Sequence, residues 1–532
     1  MINAHEPLGP AYFKAQGWWR DETLPDWLSR NAATRGGRTA VASFGGAATY
    51  DALHDRAHRL AGGLARLGIS RGDVVAVHLP NLPEFIVAWF AINICGAAMQ
   101  TIHMAYGARE VERLLAHSGA KAIIAKAPAA ELVAVTERLP ALRNVIAVGE
   151  APPGTIGFDT LLMSAPAASS ARADDAFLLL YTSGTTSAPK AVSVSYNHFL
   201  SNARLAAAEF GLTAEDRILC LAPYTHLYGL YTLELGFGVG AQACLVPMFT
   251  PRDLIEALRR FHPTVLFGAP GHIAATMQQR LFDGVDLSSI RIAVLSGTTV
   301  PPELSAAFEH RLANGRVMQA WGMTELQFGT CGRPSDAREV RFNGVGRAMP
   351  GSELRVVDAD THVVAPGVTG ELQIRGCSVF SGYVGNDAAT AESFTADGWF
   401  RTGDLAEMDA AGNIRLRGRT KDVINRGGVK FNPVEVEAVL ASHPAIADVA
   451  IAPLPDATLG ERAACFVLLK EGQALDLEAL KTYLAERKVA KFMWPEHLEL
   501  VGAMPMTPTR KIIKAELVRQ VQAGAAASRS AA

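Results

Sequence analysis

Short apolar runs alternate with segments of helical spacing from Thr39 to about residue 322, and this alternation limits the fold more than any other feature. Strand-like runs separated by helical patterns predict parallel α/β layers, here two doubly wound sheets. Between them we expect helices such as Pro302–Ala313, ending at Gly315. The candidate strands are DVVAVHL (73–79), KAIIAK (121–126), NVIAVG (144–149), RILCLAP (217–223), AQACLVP (241–247), TVLFGAP (264–270), RIAVLSG (291–297) and RVMQAWG (316–322).

The pattern changes after Gly344, where the strand candidates ELRVVD (353–358), GELQIRG (370–376) and NIRLRGR (413–419) are separated by Gly, Pro and Asp turns. This spacing predicts a small antiparallel β module. Near Lys421 a last segment begins, in which Asn432, Pro433 and Glu435 have the order of a helix start. We therefore predict a large N-terminal domain over residues 1–420 and a small α+β domain over residues 421–532.

Composition excludes several classes of protein. With 532 residues, 49% of them hydrophobic and 19% charged, the chain is too long for one core and too apolar to stay disordered. A net charge of −2 gives no overall attraction to nucleic acid. The longest apolar stretch, 85–99, is interrupted by Asn93 and is shorter than the roughly 20 residues of a membrane span. It predicts a buried helix.

Six cysteines are scattered singly, without a CxxC pair or a histidine cluster at metal-ligand spacing. We interpret them as buried thiols in a reducing cytosol. The N-terminal residues lack the basic and apolar regions of a secretory signal. We therefore expect a cytoplasmic protein.

The strongest local signal is LLLYTSGTTSAPKAV (178–192), an apolar strand that runs into a loop of small hydroxylated residues closed by Lys190. Backbone N–H groups can approach an anion closely in such a loop, while hydroxyls and a lysine add donors and charge. A polyphosphate is the natural ligand. The loop lacks the GxxxxGK[ST] pattern, and taken alone it is equally compatible with a flexible surface loop.

The loop is one of a series that, in its order, resembles the adenylate-forming superfamily of acyl-CoA synthetases, luciferases and peptide-synthetase adenylation domains. The resemblance covers the chain from about residue 15 to about residue 520. The matching segments are YTSGTTSAPK (181–190), PYTHLYG (223–229), WGMTE (321–325), GEL (370–372), WFRTGD (399–404), GRTKDVINRGG (418–428) and MPMTPTRKIIK (504–514).

This resemblance implies an ATP-dependent acid:CoA ligase. Such an enzyme converts a carboxylate and ATP into acyl-AMP and pyrophosphate, and then transfers the acyl group to CoA. ATP, Mg²⁺ and CoA as substrate would be required. One alternative is a stand-alone ligase that loads a carrier-protein pantetheine arm. Another, a non-catalytic nucleotide sensor, is opposed by the retention of Lys190, Glu325, Asp404 and Lys511.

The resemblance also implies roles for residues that contact ATP. Glu325 and Thr185 would hold Mg²⁺, because this hard ion prefers oxygen ligands. Adenine and ribose would lie beside Gly297, Trp321, Gly322, Asp404 and Arg419. The residues expected at the phosphates are Thr182, Ser183, Gly184, Thr185, Thr186, Lys190 and Thr324.

In the same way, the catalytic residues would be Lys511, His226 and Glu325, with Lys511 bridging the acid and the α-phosphate. Lys421 would be the hinge of a mobile C-terminal domain, and Gly427 and Gly428 would admit CoA. Ser187, Ala191 and Arg510 replace glycines that are usual in this superfamily. The residues expected in the acid pocket are His226, Tyr228, Gly229, Gly268, Trp321 and Phe328.

The substrate acid is constrained by the segment after His226, which lacks the asparagine with which aryl-acid members read ring hydroxyls. A mostly apolar pocket favours a medium-chain, alicyclic or simple aromatic monocarboxylate. The expected partners are therefore small molecules (the acid, ATP and CoA), without nucleic acid and without a membrane span. The sequence is also compatible with a homodimer.

Overall fold

The computed structural model describes residues 8–126, 129–182, 190–456, 459–506 and 512–530. Within it the chain divides into two compact units. The first comprises the described residues up to Thr182, together with Lys190–Glu353 and Ile374–Gly398. The second comprises Leu354–Gln373 and the described residues from Trp399 onward. The predicted division at residues 420 and 421 stays a prediction.

The helices lie mainly between strands of the first unit, as alternating α/β patterns require. They are α1 (Pro10–Ala15), α2 (Leu24–Arg35), α3 (Tyr50–Arg66), α4 (Pro83–Ile94), α5 (Ala108–Ser118), α6 (Ala129–Thr136), α7 (Phe158–Leu162), α8 (Tyr196–Glu209), α9 (Leu227–Val239), α10 (Pro251–Phe261), α11 (Pro270–Gln278), α12 (Pro302–Glu309), α13 (Arg338–Asn343), α14 (Asp387–Ser393), α15 (Val434–Leu440), α16 (Leu477–Glu486) and α17 (Lys514–Ser530). Short 3₁₀ turns occupy Thr420–Asp422 and Lys491–Met493.

The strands are mostly short. They are β1 (Thr39–Ser43), β2 (Gly46–Thr49), β3 (Val74–His78), β4 (Ala98–Thr101), β5 (Ala122–Ala125), β6 (Asn144–Ala147), β7 (Ile156–Gly157), β8 (Ala176–Tyr181), β9 (Ala191–Ser195), β10 (Arg217–Cys220), β11 (Gln242–Cys244), β12 (Val265–Gly268), β13 (Ile292–Leu295), β14 (Arg316–Met323), β15 (Gln327–Cys331), β16 (Arg347–Ala348), β17 (Ser352–Val357), β18 (Gly370–Gly376), β19 (Phe400–Met408), β20 (Ile414–Arg419), β21 (Ile424–Arg426), β22 (Val429–Phe431), β23 (Ile446–Asp456), β24 (Gly460–Leu469) and β25 (His497–Leu500).

Two large sheets form the core of the first unit. One has the order β16-β15-β14-β13-β12-β10-β11-β1-β2, and the other has the order β7-β6-β5-β3-β4-β8-β9. Their inner pairs are parallel, as in Val265↔Ile292 between β12 and β13. Antiparallel pairs close the edges, including β8 with β9 and β14 with β15. These sheets confirm the predicted α/β class.

The apolar stretch around Asn93 forms helix α4, in which every residue from Phe85 to Ile94 is buried. Asn93 is accommodated because its side chain donates to the Trp89 carbonyl and accepts from the Tyr196 hydroxyl. The prediction of a buried helix is confirmed. Among the described residues, no helix is long and apolar enough to cross a bilayer. All six cysteines are buried free thiols.

Helix α12 ends at Glu309, four residues before the predicted end. The chain tightens there, since Arg311 N donates to the Phe308 carbonyl and Leu312 N donates to the Glu309 carbonyl, both at 3.0 Å. The Glu309 carboxylate accepts from Val317 N at 2.7 Å, at the start of β14. This buried contact favours an early turn over continued helix.

The second unit contains mainly antiparallel sheets, as the change of pattern predicts; the β24–β25 pair is parallel. Strands β17-β18-β19-β20 form one sheet, in which β19 and β20 pair antiparallel. Strands β22-β21-β24-β23 form another, with β25 paired to β24. Helix α15 begins at Val434, whose N–H donates to the Asn432 side chain at 3.1 Å. The predicted helix start is therefore correct to within one residue.

Candidate active site

The base of the predicted phosphate loop is a β-hairpin. Strands β8 and β9 pair antiparallel, and Thr182 N donates to the Lys190 carbonyl at 3.0 Å, which closes the loop at its two ends. Ala191 lies in β9 with 2% of its surface exposed, where a methyl group fits the strand. The loop residues Ser183, Gly184, Thr185, Thr186 and Ser187 lie outside the described residues.

Tyr383 connects Lys190 to Glu325. The Lys190 ammonium lies 4.6 Å from the centre of the Tyr383 ring, and the Tyr383 hydroxyl donates to Glu325 Oε1 at 2.8 Å. The Tyr383 segment is fixed beside β9, because Val384 N donates to the Ala191 carbonyl at 2.9 Å. A cation and a carboxylate from distant segments are thereby held on one aromatic side chain.

Glu325 lies in the turn Thr324–Leu326 between β14 and β15. Its side chain is buried, with 5% exposed, and its carbonyl accepts from Phe380 N at 2.8 Å. The hairpin is tight enough that a Cβ on Gly322 would approach the Gln327 carbonyl oxygen to 1.9 Å. Gly322 is therefore required by the close approach of the two strands, whatever else it contacts.

Trp321 and Gly297 occupy neighbouring positions of the first unit. The Trp321 indole is 6% exposed and covers Gly329, where an added Cβ would meet the ring at 2.3 Å. Gly297 follows β13 with φ of +96°, a conformation that favours glycine. The preceding Ser296 hydroxyl donates to the Ala320 carbonyl at 2.8 Å, which joins the ends of β13 and β14.

His226 is the N-cap of helix α9 and is half-buried. Its Nδ1 accepts from Tyr228 N at 3.2 Å, so in the neutral ring the proton is on Nε2. A Cβ on Gly229 would lie 2.2 Å from the Pro223 carbonyl oxygen. Gly229 thus allows the first turn of α9 to lie against the preceding strand end, which is a structural requirement.

An aromatic cluster follows His226 along α9. The Tyr228 ring centre lies 6.1 Å from that of Phe267 and 6.0 Å from that of Phe328, while Tyr231 and Phe328 are 4.6 Å apart. The Tyr228 hydroxyl donates to the Val294 carbonyl at 2.8 Å and contacts the Gly268 carbonyl at 3.3 Å. Burial raises the pKa of Tyr228, so the group is a neutral donor. The predicted acid-pocket residues Tyr228, Gly268 and Phe328 are thus brought together.

In the second unit, Asp404 and Arg419 are partners across β19 and β20. Arg419 Nε donates to Asp404 Oδ1 at 2.7 Å, and Asp404 N donates to the Thr402 hydroxyl at 3.0 Å. Gly403 has φ of +68°, which explains a glycine before this aspartate. The Asp404 side chain is largely buried, with 12% exposed. The structure therefore brings together the two residues predicted at the ribose.

Gly427 and Gly428 form the two-residue turn between β21 and β22, with φ of +58° and +91°. Positive φ at both positions is the requirement of a type I′ hairpin. The hairpin turn alone therefore accounts for this glycine pair, and its predicted contact with CoA stays a prediction. Lys421 lies in the 3₁₀ turn Thr420–Asp422. Lys511 and Arg510 are outside the described residues.

The order of these segments matches a known family over most of the chain. The family model described as AMP-binding enzyme matches residues 28–384, and that described as AMP-binding enzyme C-terminal domain matches residues 435–511. The chain belongs to the AMP-binding enzyme family. It is accordingly an adenylate-forming enzyme of the acid–thiol ligase type, and the predicted family and enzyme class are confirmed.

Relatives of this AMP-binding enzyme differ in acid and in acceptor. The medium-chain fatty-acid–CoA ligase of Escherichia coli is 30% identical over 518 residues, covering 95% of this chain and 91% of that protein. The salicyl-AMP ligase/salicyl-S-ArCP synthetase of Mycobacterium tuberculosis is 34% identical over 533 residues, covering 96% and 93%. The crystal structure of the anthranilate CoA ligase AuaEII with anthranoyl-AMP superposes with a TM-score of 0.87 at 27% identity, covering 95% and 98%.

Sequence reasoning missed three residues of this AMP-binding enzyme. Tyr383 lies in a segment, FSGYVGND, without a chemical motif, and only the tertiary structure brings it to Glu325. Glu234 and Gln327 form a buried hydrogen-bonded pair. Here a signal existed, because Glu234 is a single acidic residue in the otherwise apolar helix LYGLYTLELGFGV.

Proposed function

We propose that this AMP-binding enzyme is an ATP- and Mg²⁺-dependent acid:CoA ligase for a medium-chain, alicyclic or simple aromatic monocarboxylic acid. The observation that carries the proposal is the group formed by Lys190, Tyr383 and Glu325 at the closed end of the β8–β9 hairpin. An ammonium suits a phosphate and a carboxylate suits a magnesium ion, so the group fits a metal–triphosphate.

The donor set fits Mg²⁺ in chemistry. The Glu325 carboxylate is buried and oriented through Oε1 by the Tyr383 hydroxyl, as carboxylate ligands commonly are by an outer hydrogen bond. Thr185, the other proposed ligand, would add a hydroxyl oxygen. When bound, Mg²⁺ neutralises phosphate charge and so favours nucleophilic attack on phosphorus. The contribution of the protein's own side chains is that Tyr383 orients the Glu325 carboxylate before ATP binds.

The proposed reaction has two steps. A carboxylate oxygen of the acid attacks the α-phosphorus of ATP, a P–O bond forms, and pyrophosphate leaves with the electron pair of the broken P–O bond. The thiol sulfur of CoA then attacks the acyl carbon and forms a C–S bond, the thiol proton passes to solvent, and AMP leaves with the electron pair of the broken acyl C–O bond. We assign Lys511 to charge stabilisation in the first step, and the Asp404 carboxylate to the ribose hydroxyls, with Arg419 beside it.

The acid pocket is proposed to lie on the aromatic cluster of Tyr228, Phe267 and Phe328. The Tyr228 hydroxyl is already bonded to the Val294 carbonyl, so the ring offers the acid an apolar face. Such a lining supports medium-chain, alicyclic or simple aromatic acids without further ionised groups. It disfavours a dicarboxylate, whose second charge would be buried without a partner.

CoA is the proposed acceptor, and a carrier-protein arm is the second candidate. The second candidate is favoured by the 34% identity to a protein whose name includes synthesis of salicyl-S-ArCP. Both acceptors present the same pantetheine thiol, so the chemistry of acyl transfer is common to them. They differ only in what is attached beyond the arm.

A panel assay tests the proposal. Acids of four to ten carbons, cyclohexane carboxylates and benzoates are each supplied with ATP and Mg²⁺, and acid-dependent pyrophosphate release is measured. Acyl-CoA is then quantified with CoA as acceptor, in parallel with loading of a pantetheinylated carrier protein. We expect pyrophosphate release and acyl-CoA formation with at least one of these medium-chain, alicyclic or simple aromatic acids. Carrier loading without acyl-CoA would support the second candidate, and ATP binding without pyrophosphate release for any acid would identify a nucleotide sensor.

A further inference from the structure

Helix α9 buries one acidic side chain, Glu234, which is 0% exposed. Its Oε2 accepts a hydrogen bond from the side-chain Nε2 of Gln327, itself 1% exposed. Within the described part of the chain, Oε1 of Glu234 and Oε1 of Gln327 have no other hydrogen-bond partner. A single proton on Glu234 would satisfy both of these oxygens, because the acid O–H can then donate a hydrogen bond to the amide oxygen. The two side chains would form a cyclic acid–amide pair with two hydrogen bonds.

The backbone conformation of Gln327 indicates that its side chain is needed at this position. Gln327 has φ of +62°, in the left-handed region that favours glycine. It follows the turn Thr324–Leu326, in which Leu326 N donates to the Met323 carbonyl at 3.2 Å. A three-residue hairpin loop followed by a left-handed residue normally takes glycine at that residue. A glutamine tolerates this conformation when other contacts hold it, and the bond to Glu234 is such a contact.

We propose that Glu234 and Gln327 form a neutral acid–amide pair that holds the Thr324–Leu326 turn against helix α9 and so positions Glu325 for Mg–ATP. The proposal rests on the function proposed above for Glu325. Glu234 and Gln327 are positioning residues, since the pair acts through the turn. The pair also joins two functional elements, because α9 carries His226 and Tyr228 while the turn carries Glu325.

The turn is held on its other side by independent contacts. Phe380 N donates to the Glu325 carbonyl at 2.8 Å, and the Tyr383 hydroxyl donates to Glu325 Oε1 at 2.8 Å. These contacts fix Glu325 itself, whereas the Gln327 side chain fixes the point where the turn enters β15. Loss of the pair should therefore loosen the turn without removing any ligand of the metal.

The test compares Glu234→Gln, Glu234→Leu and Gln327→Gly with wild type by calorimetric titration of Mg–ATP. Glu234→Gln can still exchange two amide hydrogen bonds with Gln327, so we expect its Kd to stay within about twofold of wild type. Glu234→Leu leaves a buried amide unsatisfied, and we expect its Kd to rise roughly tenfold. Gln327→Gly relieves the left-handed backbone but deletes the amide, and it should weaken Mg–ATP similarly.

Gln319→Met is the matched control. It deletes one buried hydrogen bond, from Gln319 Nε2 to the Phe342 carbonyl at 2.6 Å, on strand β14 away from the turn. Its Kd for Mg–ATP should match wild type. Equal Kd values for Glu234→Leu, Gln327→Gly and this control would overturn the proposal, and so would damage by Glu234→Gln equal to that by Glu234→Leu. If Glu234→Leu does not fold, Gln327→Gly alone decides.

A second readout separates this proposal from the proposed function. Mg–ATP binding requires neither acid nor thiol, so a protein that forms no acyl-CoA can still show the predicted order of Kd values. Conversely, acyl-CoA formation with unchanged Kd in every variant would support the ligase and refute the pair. Thioester formation from supplied acyl-AMP should be the same in Glu234→Leu and wild type, because that step does not need the turn to hold Mg–ATP.

Discussion

Replacing Glu234 by glutamine should change how the stability of the protein depends on pH. Burial raises the pKa of Glu234 to about 8, from an ordinary value of 4.5, and the hydrogen bond from Gln327 opposes this only in part. Among the described residues, the phenol of Tyr231 lies one turn earlier on the same helix. Cys331 and Arg333 interact electrostatically with that phenol. The pKa of Tyr231 is itself raised by burial, so it stays neutral below pH 8.

The direction of this pH dependence follows from the number of protons that the folded and unfolded states bind. Between pH 4.5 and pH 8 the folded protein keeps the Glu234 proton while the unfolded chain releases it, so the free energy of unfolding falls as pH rises. At about 1.36 kcal/mol per pKa unit, the loss by pH 8 is about 5 kcal/mol. Below pH 4.5 and above pH 8, Glu234 has the same protonation state in the folded and the unfolded chain, so it no longer makes the free energy of unfolding depend on pH. Glutamine cannot titrate, so Glu234→Gln should escape the loss.

Thermal unfolding of wild type and Glu234→Gln at half-unit steps from pH 5 to pH 8.5 measures the effect. The two Tm values should be close at pH 5, and the variant should be higher by roughly 5 to 10 °C at pH 8, taking about 1 to 2 °C per kcal/mol for a unit of this size. A Tm difference that does not change with pH would show that Glu234 does not retain its proton, and the reasoning would be wrong.

Glu309→Gln is the control with the opposite sign. Burial alone would raise the pKa of Glu309, but hydrogen bonds from Arg341 and from Val317 N outweigh it and the pKa is lowered. Glu309 is therefore ionised in both folded and unfolded states from pH 5 upward. Its loss should lower Tm by a constant amount across pH 5 to 8.5, in contrast to the growing difference expected for Glu234→Gln.

Three further predictions concern the candidate site. Tyr383→Phe keeps the ring near Lys190 but deletes the hydrogen bond to Glu325, so the Kd for Mg–ATP should rise roughly tenfold, measured by calorimetry against Tyr383→Leu, which loses both contacts. Asp404→Ala should weaken ATP binding and both ATP-dependent steps, and unchanged ATP affinity would remove Asp404 from the site. In rapid-quench measurements, Lys511→Ala should slow acyl-adenylate formation but leave thioester formation from supplied acyl-adenylate unchanged, whereas Lys421→Pro should impair acyl transfer to the thiol. Equal damage to both steps in each variant would contradict separate roles for the two lysines.

The fold was predictable because its strands are short apolar runs with helices between them. The run RIAVLSG, for example, becomes β13, and its parallel pairing follows from the intervening helices. Boundaries were less predictable where a tertiary contact intervenes. Helix α12 ends early because the buried Glu309 carboxylate accepts from Val317 N, and no local pattern encodes that contact.

The candidate site was predictable where the resemblance assigns several residues to one ligand. Asp404 and Arg419 were expected to act together, and they face each other across β19 and β20. Tyr383 could not be predicted, since it meets Glu325 from a segment 58 residues away. Gly229 and Gly322 were assigned to ligands, yet a Cβ added at these positions would lie 2.2 and 1.9 Å from a backbone carbonyl oxygen, which already requires glycine there.

The turn that carries Glu325 is fixed by two parts of the chain that are distant from it in sequence. Helix α9 contributes Glu234, and the segment after β18 contributes Phe380 N and the Tyr383 hydroxyl. If the acid binds on α9 as proposed, we expect that side chains there such as Tyr228 can be exchanged without moving Glu325, provided that Glu234 and Gln327 remain paired. On the proposed function, acid selectivity would then be separable from magnesium binding, because the two would depend on different residues of one helix.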